Sequence, residues 1–202
     1  MENLPVEQKK KGPGSIALRD GVLSPSNFDE MWHISVLFAK SGMMPDAYNN
    51  NPEGIMVAGQ FGAQLGLSLM ASIQNIAVVK GHPTVYGDSQ KALVQDSKTL
   101  DTFVEYFEGT PETDDFKAVC IAKRKGVGGE YNPDDDLNTM RKKGLFVNEF
   151  SVADAKRAGV WGGTGSTPEK KKYSVWYKHP KRMLKMRARA FTLRDGWSDI
   201  LK

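Results

Sequence analysis

The sequence predicts an α+β protein of antiparallel β-hairpins packed with several helices. Three observations predict it. Apolar residues recur at helical spacing near the front of the chain, β-rich segments in the middle fall into hairpin pairs, and an unbroken basic helix runs toward the end.

Met1 to Pro25 is polar and punctuated by Gly and Pro, and it reads as a flexible arm over residues 1–26. Asn27 and Glu30 form a capping pair. Phe28, Met31, Trp32, Ser35, Val36 and Ala39 then follow helical spacing until Gly42. Pro52 opens a second helix through Ile55, Met56, Gly59 and Ala63 to Leu65-Gly66-Leu67. The small residues Ala58, Gly59, Gly62 and Ala63 imply that another backbone packs closely against it.

Ile76–Val79 and Thr84–Tyr86 flank Lys80-Gly81-His82-Pro83 and read as a hairpin. Gly87-Asp88 starts a helix through Leu93 and Val94. A second strand pair spans Thr102–Phe107 and Phe116–Arg124. Gly126 to Lys143 is a polar excursion, and Leu145–Phe150 is a further strand. Ser151 caps a short helix through Lys156, with Asp154 at the capping-box position and Gly159 at its end. A glycine-rich loop, 161–168, leads toward the basic helix. Residues 27–202 are expected to form one core domain.

Charge matters here more by distribution than by total. The 202 residues carry a net charge of only +4, with the basic excess toward the end and acids such as Glu112, Asp114, Asp115 and Asp134-Asp135-Asp136 in the middle. This asymmetry points to a basic face directed at a polyanion. Cys120 stands alone, so no disulfide framework exists within the chain, which suits a reducing compartment. No apolar run reaches the ~20 residues of a membrane span, and no apolar stretch follows the lysines at 9–11. A cytoplasmic protein with no membrane partner is expected.

Catalytic chemistry finds little support. His33, His82 and His179 are scattered, without partners at metal-ligand spacing. Asn132, Asp134, Asp136 and Asn138 resemble the start of a calcium loop, but Leu137 and Lys143 occupy the positions of its glycine and its final glutamate. Gly162–Thr167 lacks the Gly-Lys-Ser/Thr ending of a phosphate-binding loop. A metal enzyme built on Asp88 and the 134–136 run has no specified ligand geometry. The expectation is a non-enzyme with no required cofactor, Mg²⁺ being admitted only as an aid, and no metal site.

The basic helix carries the functional signal. Pro180 suits a first helical turn. At 100° per residue, Lys181, Lys185 and Arg189 stack on one face with Arg182 beside them. Arg187 and Arg194, seven apart, form a second basic line between apolar stripes. Like charges at i, i+4 repel, so such a helix calls for an anionic partner. Trp176, Tyr177 and Lys178 precede it, and aromatics beside cation tracks are the chemistry of single-stranded nucleic-acid grooves. The candidate binding residues are Trp176, Lys178, Lys181, Arg182, Lys185, Arg187, Arg189 and Arg194.

Trp176-x-x-His179-Pro180-Lys181-Arg182-Met183-Leu184 resembles the signature of the RecT and lambda Red beta family of phage single-strand annealing proteins. Gly62–Ser68 with Gln74–Val78, then Gly81-x-Pro83-x-x-Tyr86-Gly87-Asp88, and Phe150–Trp161 are similar to further family segments, so the resemblance runs from about Phe28 to Leu201. It implies ATP-independent annealing of complementary single strands in DNA recombination and repair. It places the groove cations on Lys181, Arg187 and Arg194 and the groove aromatic on Trp176. The implied partners are single-stranded DNA and the annealed duplex intermediate, further copies of the chain in a ring or helical filament, a phage exonuclease and a host single-strand-binding protein. The implied setting is the cytoplasm of a bacterial host. The 1–25 arm and the Met31/Trp32 helix are the candidate contacts between copies. Family members often continue into a C-terminal partner-binding region, for which nothing up to Lys202 is a counterpart. Residues 111–138 match no family pattern. The alternative from the residues alone is a passive single-stranded nucleic-acid-binding protein without annealing activity.

Overall fold

The computed structural model describes residues 16–201 except 20, 80 and 112. Most of the expected arm, Lys80 of the first hairpin turn, Glu112 and Lys202 lie outside the described residues. The fold is α+β, with small antiparallel sheets and helices, as the hairpin and helix patterns predict. The chain divides into two compact units, 1–84 and 85–202.

The first unit begins with strands β1 (Ala17–Arg19) and β2 (Val22–Ser24), paired antiparallel. Within the expected 1–26 arm, Ala17–Arg19 and Val22–Ser24 are thus paired strands. Helix α1 (Phe28–Lys40) starts where Asn27 accepts a hydrogen bond from the Glu30 amide at 2.9 Å. Helix α2 (Pro52–Gln64) is capped by Asn51, with Pro52 in its first turn. Helix α3 (Leu69–Asn75), which the apolar spacing does not separate from its surroundings, follows a Ser68 cap. The small residues of α2 explain themselves here: a Cβ on Gly62 would overlap Ser72 of α3, so the two helices approach at a distance only glycine permits. Strands β3 (Ile76–Val79) and β4 (His82–Val85) form a second two-stranded sheet, β4 starting two residues earlier than expected. The buried Tyr48 hydroxyl donates to the Ile76 carbonyl at 2.7 Å.

The second unit is built on a three-stranded antiparallel sheet of order β5 (Leu100–Glu108), β6 (Lys117–Arg124), β7 (Phe146–Ser151). The central strand β6 is buried on both faces, which explains its nearly continuous apolar run. Ala118, Cys120 and Ala122 face the long helix α9 (Pro180–Gly196). Val119 and Ile121 face Met140 and Leu145. Met140 belongs to α5 (Leu137–Lys142), a helix inside the stretch expected to be only a polar excursion. Two of the acids there serve structure: Asp136 caps α5, and Asp135 pairs with Lys143.

Helix α4 (Asp88–Asp96) precedes β5, and α6 (Val152–Arg157) follows β7 with the full Ser151/Asp154 capping box. Two short helices come next, α7 (Pro168–Tyr173) and α8 (Val175–Lys178), before α9 and a final turn α10 (Ser198–Leu201). Among the described residues no single helix is long and apolar enough to cross a membrane. Only α2 and α3 taken together, bent by 104°, reach that length and composition.

Candidate nucleic-acid interface

Helix α9 lies across the sheet with Leu184, Ala188, Thr192, Leu193 and Gly196 buried. Thr192 seats it on the central strand, its hydroxyl donating to the Cys120 carbonyl at 3.1 Å. Burial pushes the Cys120 thiol up to about 12.

The packing sorts the cations of α9 into two groups. Arg189, only 4% exposed, points inward. Its Nε and Nη2 donate to the two carboxylate oxygens of Glu105 on β5, at 2.8 and 2.7 Å, and its Nη1 pairs with Asp88 at the start of α4. This forked pairing satisfies a guanidinium that burial would otherwise penalise heavily. Arg182 donates to the other oxygen of Asp88 at 2.7 Å. The Arg189 hydrogen bond, with help from Arg182, holds the Asp88 carboxyl below its ordinary value. Lys185 is half-buried. The Lys181/Lys185/Arg189 row, which the helical wheel presents as a basic stripe, therefore turns into the protein at its C-terminal end. Arg189, expected among the binding residues, is thus a buried ion-pair partner within the fold.

Arg187 and Arg194 form the second group. Both are exposed, and among the described residues neither has an acidic partner. Phe191 lies between them along the helix and on the same side of it, 38% exposed, with its ring 6.0 Å from that of Phe150. Sequence reasoning missed Phe191 because it sits in an apolar stripe and looks like core. Lys181, in the first turn, is exposed, with its Nζ 5.6 Å from the centre of the Phe116 ring.

Trp176, the expected groove aromatic, points inward. It is 5% exposed, packed against Phe150 in the core cluster that includes Leu184 and Ala188. A ring so enclosed anchors α8 and has no free face for a base. The outward aromatics of the segment are Tyr173, 78% exposed, and Tyr177, 51% exposed, with the Lys178 Nζ 5.5 Å from the centre of the Tyr173 ring.

The glycine loop has a clear structural task. A Cβ on Gly163 would overlap the Lys171 carbonyl, and one on Gly165 would come within 2.9 Å of Lys170. The Thr164 amide also donates to Ser174 Oγ at 3.0 Å. The loop thus packs directly against α7, and its glycines allow that approach. Comparison with known protein families, curated proteins and solved structures finds no match for this chain.

Proposed function

We propose that this protein binds single-stranded DNA and anneals complementary strands without nucleotide hydrolysis, acting as an oligomer along the strand. The observation that carries the reading is the outward line of Arg187 and Arg194, without acidic partners among the described residues, on a helix whose buried arginine is fully engaged. An exposed arginine pair flanking a partly exposed ring suits a phosphate backbone with bases beside it. The resemblance of the His179–Leu184 segment to the phage annealing proteins supports the same assignment.

In this reading Lys181, Arg187 and Arg194 neutralise phosphates of one strand. Lys178 and Arg182 extend the positive face toward the start of α9. Neutralisation removes the repulsion a second strand would meet. Correct pairing is then driven by stacking and hydrogen bonding of the new duplex, so no ATP is required. A protein of 22.4 kDa covers a short stretch of strand, and efficient annealing calls for many copies side by side, in rings or helical filaments.

The test is an annealing assay with complementary oligonucleotides. The protein should accelerate annealing over protein-free strands. Substituting Arg187→Ala and Arg194→Ala together should weaken binding across all sequences. It should also flatten the dependence of log affinity on log salt by roughly 0.7 for each phosphate no longer neutralised. Binding without acceleration would reduce the protein to a passive strand binder.

A further inference from the structure

We propose that Tyr173 and Tyr177 form a stacking surface for unpaired bases of a single-stranded nucleic acid, with Lys178 and Lys170–Lys172 on the adjoining phosphates. The inference rests on the reading of α9 as a phosphate-binding helix and assigns the bases a place beside it.

The short α7–α8 segment is organised around one inward residue. Ser174 ends α7 and caps α8, accepting the Tyr177 amide at 3.3 Å. Its extended backbone breaks the helix between them. Trp176 then enters the core. With that anchor fixed, Tyr173, Val175, Tyr177, Lys178 and His179 are left in solvent. A tyrosine kept for packing buries its ring and finds its hydroxyl a partner. These two do not bury their rings.

Their surroundings name the occupant. From residue 170 to 181 the sequence holds five lysines and no Asp or Glu. Lys178 already lies near the Tyr173 ring at 5.5 Å, which brings a cation and an aromatic face together. Interleaved rings and cations with no acid among them suit a ligand that alternates planar apolar faces with negative charges. A single strand of nucleic acid is such a ligand, whereas a duplex hides its base faces. The close approach of Gly163 and Gly165 to α7 holds the platform against the loop.

Binding of a labelled oligo-dT strand and of an abasic strand of equal length separates the roles. Tyr173→Ala with Tyr177→Ala should weaken oligo-dT binding by about fivefold or more per ring, with abasic binding unchanged. Phe at both positions should restore the affinity. Equal weakening on both strands, or no change on oligo-dT, overturns the stacking assignment while leaving the α9 reading intact. Failure of the unsubstituted protein to bind either strand overturns both. Circular dichroism of the variants should match the parent, because both side chains are exposed.

Discussion

Arg189 shows how one residue can carry a charge pattern and yet serve the fold. Its guanidinium is nearly enclosed, as is its partner Glu105, whose side chain is only 11% exposed. Arg189→Met would leave that carboxylate buried and unpaired, and we expect a loss of about 3–5 kcal/mol of stability in urea unfolding. Replacing Glu105→Leu in the same chain should recover much of the loss, because the buried charge goes with it. Asp88 adds a pH signature. Its folded-state pKa lies below the ordinary 3.8, chiefly through the hydrogen bond from Arg189. A depressed carboxylate contributes stability that is present above its unfolded value and lost as pH falls through the folded one. The stability gap between the parent and Asp88→Asn should therefore be constant above about pH 5 and shrink below about pH 4. A gap that stays flat through acid would remove Asp88 from the ion-pair account. Trp176→Ala should cost about 3–5 kcal/mol as a core truncation.

Among the elements, α2 and α3 meet through a close glycine approach that can be tested directly. Gly62→Ala would improve helix propensity by up to about 1 kcal/mol, but its methyl would collide with Ser72. The collision should dominate, giving a net loss of about 1–3 kcal/mol by thermal or urea unfolding. Ser72→Ala in the same background should relieve part of it, since the overlapping hydroxyl is removed. The elements also divide by how local their instructions are. Helix α1 begins at Asn27, α6 at Ser151 and α9 at Pro180, all positions readable from neighbouring residues. The β5–β6 pairing was equally legible from its β-rich apolar runs. Helices α3, α5, α7 and α8 were not. Each is seven residues or shorter, too brief to display a helical period. They are held by caps and by anchors such as Met140 and Trp176, whose burial partners include residues of other elements.

Over the whole molecule, charge is arranged by segment. Between residues 170 and 194 stand ten of the chain's 28 Lys and Arg residues and no Asp or Glu. The carboxylates that neutralise part of this segment, Asp88 and Glu105, come from α4 and β5. The remaining outward cations of α9 are the surface proposed to hold phosphate. Substituting Arg187 and Arg194 by alanine should leave unfolding stability within about 0.5 kcal/mol, because both are exposed. Their effect should appear in strand binding and its salt dependence instead. A large stability loss in that variant would mean that these arginines serve the fold, as Arg189 does.

Caps, apolar periods and proline act over a few positions, and so the amino-acid order alone was enough to place the starts of most long helices and the β3–β4 and β5–β6 pairings. Which cations stand free was settled by packing between distant segments. Glu105 stands 84 residues from Arg189, and Asp88 stands 101 residues away. A helical wheel treats all the cations of α9 alike and cannot show that two distant carboxylates engage Arg182 and Arg189 and leave Arg187 and Arg194 without an acidic partner among the described residues. The same holds for the aromatics. Trp176 and Tyr177 are neighbours in sequence, and it took the position of Phe150 on the sheet to turn one ring into the core and leave the other in water.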